Sequence, residues 1–272
     1  MQPCWVVATP LGFIADEAAV LVESVNWLDA ALLFVAGIIG GLVGSIAGLA
    51  SVSTYPALLL VGLPPVAANV TNTVALVFSG IGSILGSRPE LRGQCATLKR
   101  LIPIAVLGGA AGAALLLSIP SEGFENVVPV LLAASAVLIA LPQRDRQDGV
   151  RRHRPALEGA AILVICVYGG FFGAAAGVLM LALFLRTGSE SLAHSNATKN
   201  VVLGVANTVA AVIFVVFSPI DWLAMVPLGF GCLVGSRLGP IIVRHAPATP
   251  LRLIIAVAGM ALAVKLGFDT YR

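Results

Sequence analysis

Charge is what this chain has least of. Only 11% of its 272 residues are Asp, Glu, Lys or Arg, where a soluble domain carries about a quarter. From Ala30 to Ser87 there is no Asp, Glu, Lys, Arg or His at all. A water-facing surface cannot be covered from such a stretch, so the solvent must be lipid. The 58% hydrophobic fraction and the mean hydropathy of +1.00 agree.

Other absences exclude other classes. Cys4, Cys95, Cys166 and Cys232 are scattered with no CxxC pair, so they read as free thiols filling apolar space. The three histidines, His153, His194 and His245, fall in or beside expected loops, and there is no HExxH or paired-Asp site. An intramembrane serine protease needs Ser and His in reach of one another, and nothing in the pattern supplies that; the chain does not read as an enzyme. No motif requires a cofactor or a metal. Acidic residues are missing from the middle of the apolar segments, which removes the usual site of a proton- or cation-coupled carrier. Residues 1–27 have no Lys or Arg, so they read as a tail or interfacial segment and not as a signal peptide.

What is present is apolar and segmented. Twenty-one uncharged residues lie between Arg100 and Glu122, 18 between Glu125 and Arg144, and 21 between Lys199 and Asp221. A bilayer-crossing helix needs about 20. The abundance of Gly and Ala, without two-residue alternation, favours helices over a barrel. Segments are expected at 28–50, 53–62, 66–87, 100–119, 125–141, 156–172, 174–186, 197–217, 222–243 and 251–268. The second and seventh are too short to span comfortably. The fold expected is an all-α polytopic membrane protein with about 8–10 transmembrane or re-entrant helices, broken at Gly-rich motifs.

A basic linker, PQRDRQDGVRRHRP at 142–155, divides the chain near its middle. On either side the pattern repeats. GGLVGSIAG at 40–48 and GGFFGAAAG at 169–177 place glycines at identical spacing. Asn69-Val-Thr71-Asn-Thr73 is echoed by Asn196-Ala-Thr198-Lys-Asn200, and Gly108 with Gly112 by Gly231 with Gly235. Two repeats at 28–141 and 156–268 are therefore expected. If each has five segments and the second is inverted, loops at 88–100, 142–155, 186–199 and 244–252 share one side and hold thirteen of the sixteen Lys and Arg. That satisfies the positive-inside rule; four crossings per half would not.

Inverted repeats are the plan of many secondary transporters, with the site near the midplane where discontinuous helices meet. Here the helix-break candidates are Gly44, Gly48, Gly173 and Gly177. The substrate-binding candidates are Asn69, Thr71, Asn72 and Thr73 in the first half and Asn196, Thr198, Lys199 and Asn200 in the second. Placed at helix starts, these groups would join free N–H donors and the helix dipole in holding a small oxyanion. Other readings stay open: helix caps and interhelical hydrogen bonds use the same residues, and Lys199 is equally a candidate membrane-surface anchor. Arg237 reads either as a functional charge or as a side chain reaching the interface.

GGLVGSIAG followed by YPALLLVGLPPVAANVTN, then GGFFGAAAG with HSNATKNVVLGVAN, resemble the sulfite exporter TauE/SafE family of membrane transporters. DWLAMVPLGFGCLVGSRLG and RLIIAVAGMALAVKLGF are similar to that family's last two segments, so the likeness runs over about residues 30–268. The break GLASVSTYP and the proline-free GVLMLALFLR depart from the family's pattern. The resemblance implies a multi-pass protein of the cell (inner) membrane that exports a small anion such as sulfite or an organosulfonate. The partners implied are the lipid bilayer and that anion, with no nucleic acid; monomer and homodimer both fit. A carrier or channel for another small solute, and a non-transport membrane scaffold, are the alternatives.

Overall fold

The computed structural model describes residues 26–120, 123–124, 155–187 and 191–245. Within them the secondary structure is helical, with no strand. The helices are α1 (Trp27–Ala47), α2 (Ala50–Leu60), α3 (Pro65–Gly86), the single turn α4 (Arg88–Leu91), α5 (Cys95–Ser118), α6 (Pro155–Phe171), α7 (Ala176–Thr187), α8 (Leu192–Phe217) and α9 (Trp222–His245). The expected segments 125–141 and 251–268, nearly all of the tail at 1–27 and all but the last residue of the linker lie outside the described residues.

Five of these helices are long and apolar enough to cross a bilayer: Trp27–Ala47, Pro65–Gly86, Cys95–Ser118, Leu192–Phe217 and Trp222–Val243. Their outer faces expose Leu28, Val35, Leu107, Val212, Val216 and Phe217, a surface that only lipid tolerates at this scale. As expected, α2 and α7 are short.

Local chemistry explains most boundaries. Asn26 caps α1: its Oδ1 accepts from the N–H groups of Leu28 and Asp29, both at 2.9 Å, while Asp29 accepts from the Asn26 N–H. Pro64 ends the preceding turn and Pro65 opens α3 without an N–H to lose. Ser191 caps α8 through the His194 N–H, so α8 starts five residues before the expected position 197 and takes in the whole polar cluster. Two segment ends shift similarly. α1 stops at Ala47 because Gly48 turns left-handed (φ 79°) and its N–H closes on the Gly44 carbonyl. α6 stops at Phe171, followed by Gly173 (φ 74°) and Ala175 (φ 63°). The Tyr168 hydroxyl donates to the Ala174 carbonyl at 2.6 Å and braces that turn.

The packing is crossed between halves. α9 lies along α1 and α3, whereas α5 lies along α6 and α8. Small residues allow the backbones to touch, the usual device where lipid provides no hydrophobic drive for helix association. Gly37 and Gly41 of α1 meet Gly231, Cys232 and Ser236 of α9, and Gly235 meets Ile38. On the other side Gly108 and Gly112 of α5 meet Cys166, Val167 and Gly170 of α6, and Gly109 meets Ala206 of α8. Cys166 and Cys232 are buried free thiols and Cys95 is an exposed one, as read from the sequence; Cys4 is outside the described residues. The aromatic rings of Tyr55, Phe124, Phe171 and Phe172 stack edge to face, with centroids 5.3–5.9 Å apart, and wedge α2 against the end of α6.

Candidate functional site

Four helix ends converge in the interior. α1 ends and α2 begins across Gly48 and Leu49; α6 ends and α7 begins across residues 172–175. At the crossing, Gly48 and Gly177 lie backbone against backbone, so that a Cβ on either would enter the other. Beside this crossing is a cavity of about 70 Å³, lined from α1 and α2 by Gly44, Ser45, Gly48, Ala50 and Ser51, and from the other turn by Gly169, Phe172, Gly173, Ala176 and Gly177. α3 contributes Thr73, Leu76, Ser79, Gly80 and Ser83, and α8 contributes Lys199, Asn200, Leu203, Gly204 and Asn207. A buried water needs roughly 10–15 Å³ of such space; the cavity therefore has room for a few waters or a small polyatomic ion.

All four glycines singled out from the sequence line this cavity, although Gly44 lies within α1 and Gly177 within α7. The eight polar candidates divide. Thr73, Lys199 and Asn200 line the cavity; Asn69, Thr71, Asn72, Asn196 and Thr198 do not.

The expectation that these residues start their helices is corrected. Asn69 is the fifth residue of α3 and Asn196 the fifth of α8, one turn or more inside, where backbone N–H groups are already paired. The helix starts that line the cavity are instead those of α2, at Ala50 and Ser51, and of α7, at Ala176 and Gly177, where the Ala176 N–H is already taken by the Gly173 carbonyl at 3.2 Å. Leu49 provides no side-chain cap at the start of α2. The first N–H groups of a helix have no intrahelical acceptor, and with the dipole they attract anions.

Most of the polar candidates tie neighbouring helices together. Asn196 donates through Nδ2 to the Ser45 carbonyl at 2.9 Å, and Asn200 donates to the same oxygen at 3.2 Å. Lys199 donates through Nζ to the Gly44 carbonyl at 3.3 Å. These are carbonyls of the last turn of α1, where a cation opposes the negative end of the dipole. Asn69 does the same for α6, donating to the Phe171 carbonyl at 2.8 Å. Asn72 accepts from the Thr54 hydroxyl at 2.6 Å and donates to Ser51 at 3.2 Å, tying α3 to α2. Thr71 accepts from the Asp221 N–H at 3.2 Å, at the start of α9. So carbonyls in the last turns of α1 and α6 accept from side chains of α3 and α8, and the first residues of α2 and α7 line the cavity.

Lys199 is 1% exposed. Its reading as a membrane-surface anchor, and its place in the loop at 186–199, are thereby overturned: it sits two turns inside α8. Arg237 is exposed on α9 and is absent from the cavity lining, so its candidacy for the site falls. Glu90, in the short turn α4 and outside the apolar segments, is a buried acid at 8% exposed.

Sequence reasoning missed Ser45, Ser51, Ser79, Ser83 and Asn207. The signal was available: 73, 76, 80 and 83 on α3, and 200, 203, 204 and 207 on α8, follow helical spacing and mark one face of each helix. Gly80 and Gly204 on those faces let the two helices approach. Among the described residues no group of three or more His, Cys, Asp or Glu is arranged to hold a metal.

Comparison with known proteins adds to this geometry. Residues 31–266 match the family described as Sulfite exporter TauE/SafE. A probable membrane transporter protein ORF9 from Sinorhizobium sp is 30% identical, covering 88% of this chain and 92% of its own length. The probable membrane transporter protein YfcA of Escherichia coli K12 is 26% identical over 88% and 90%. A probable membrane transporter protein of Haemophilus influenzae is 26% identical over 88% and 94%. No solved structure matches.

Proposed function

Because this chain belongs to the sulfite exporter TauE/SafE family of membrane transporters, we propose that it carries a small sulfur oxyanion, sulfite or an organosulfonate, through the cavity between α2, α3, α7 and α8. The observation that carries this reading is the buried Lys199 in a cavity that the first residues of α2 and α7 also line. Asn200 and Asn207 add amide donors, and the family's description points to outward movement. A cavity lined by one ammonium and by side-chain amides is complementary to a compact anion.

The transport cycle follows from an inverted repeat, 28–141 and 156–268. Three features support it. The glycine motifs meet at their equivalent positions, Gly48 and Gly177. The Gly108/Gly112 pair contacts α6 as the Gly231/Gly235 pair contacts α1. Equivalent asparagines, Asn69 and Asn196, each reach a carbonyl in the last turn of the other half's first helix. On this reading the two halves rock about the Gly48–Gly177 crossing, and the anion site faces each side in turn.

Uptake of radiolabelled sulfite into proteoliposomes tests the reading. Flux should exceed that of empty liposomes, compete with unlabelled sulfite, and fall at least tenfold in Lys199→Gln and in Asn200→Ala at equal reconstituted protein. Flux equal to empty liposomes, or unaltered by both substitutions, would remove this cavity from the transport path.

A further inference from the structure

We propose that the cavity selects monoanions over dianions, so that the species carried is hydrogen sulfite or a short alkanesulfonate. This rests on the anion reading above and narrows its substrate.

The argument is a count of charge. Two helix N-termini and two helix C-termini meet at the cavity. Each carries about half an elementary charge, positive or negative, so their contributions offset one another. What remains is the side chains, and of the residues lining the cavity only Lys199 has a formal charge. The matching position in the first half is Asn72, which is neutral and engaged with Ser51 and Thr54. The second half's lysine therefore has no counterpart. Whatever else its ammonium touches, the lining supplies at most one positive charge.

That limit bears on the ligand's charge. The free energy of removing an ion from water rises with the square of its charge, whereas attraction to a single cation rises only in proportion to it. A dianion would pay about four times the desolvation of a monoanion of equal size for twice the attraction. The cavity volume, about 70 Å³, further restricts the substituent on sulfur to something small.

The test compares ligands of matched shape and different charge. The purified full chain in detergent is titrated with methanesulfonate and with sulfate at constant ionic strength, and thermal stabilisation gives the apparent Kd. Sulfite is titrated at two pH values on either side of its conversion to hydrogen sulfite; methanesulfonate, whose charge does not change, corrects for the protein's own response. Methanesulfonate should bind about tenfold or more tightly than sulfate, and sulfite should bind more tightly at the lower pH. Lys199→Gln should lose the methanesulfonate shift, and Lys199→Arg should keep both the shift and the preference. Sulfate binding as tightly as methanesulfonate would overturn the monoanion preference and leave the anion cavity standing. Undiminished methanesulfonate binding by Lys199→Gln would also overturn it. No shift with any oxyanion would overturn the anion reading itself. Should Lys199→Gln not fold, the parent and Lys199→Arg still decide the charge preference.

Discussion

Gly48→Ala is expected to be among the costliest single-methyl additions in the molecule. Two separate penalties act at this residue. Its φ of 79° places it in the left-handed region, where a Cβ costs about 1–2 kcal/mol. The same Cβ would enter the Gly177 backbone, and overpacking of that kind adds about 1–3 kcal/mol. Together the loss is about 2–5 kcal/mol. Gly62 separates the two terms. Its φ is 93°, and a Cβ there meets nothing within 4 Å, so Gly62→Ala incurs the backbone penalty alone. Equilibrium unfolding of both variants in mild detergent should place Gly48→Ala about 1–3 kcal/mol below Gly62→Ala. Equal stabilities would refute the close crossing of Gly48 and Gly177, and with it the geometry given to the cavity.

Three more expectations can be checked in the same preparation. Asn196 and Asn200 share the Ser45 carbonyl, so either alanine substitution should cost about 1 kcal/mol while the double substitution costs more than their sum; strict additivity in a double-mutant cycle would argue against the shared acceptor. Asn72→Ala should destabilise by about 1–3 kcal/mol, since it abandons Ser51 and Thr54 in the interior, yet leave anion-induced stabilisation in place, whereas Asn200→Ala should reduce that stabilisation; the reverse ranking would put Asn72 in the site. Gly235→Leu should force α9 off α1 at Ile38 and lower the yield of monodisperse protein on size exclusion, while Gly159→Ala, whose Cβ meets only the tip of Ile104 at 3.8 Å, should not.

Much of the helical layout was legible because hydropathy and proline placement are local properties. Pro64-Pro65 marked the start of α3, and the short apolar stretches marked α2 and α7 as helices that do not span. Ends controlled by one residue were less so: the Ser191 cap starts α8 five residues ahead of the apolar pattern, and Gly48 ends α1 although that pattern runs past it. The candidate site was half legible. Glycine motifs and polar clusters pointed to the right regions, but a sequence does not say whether an asparagine faces a ligand or a neighbouring carbonyl. Asn69, Asn72 and Asn196 proved to hold helices together, while the serines and Asn207 on the cavity face were overlooked because single small polar residues in an apolar helix look unremarkable one at a time. The helix starts that line the cavity belong to α2 and α7 and not to the helices that carry the clusters. Only three-dimensional convergence reveals that.

The crossed packing of the two halves has a consequence for how the protein is made. α1 is synthesised early, but the helix that covers its glycine face, α9, is the last of the described segments to emerge. Until then Gly37 and Gly41 face lipid or a borrowed neighbour, and the contact between Gly37 and Gly231 must close over most of the chain's length. Contacts of such long sequence separation form slowly. Insertion of α1 into the bilayer and closure of the α1–α9 contact are therefore separate events in time, and the α1 face is not completed before the last described helix is present.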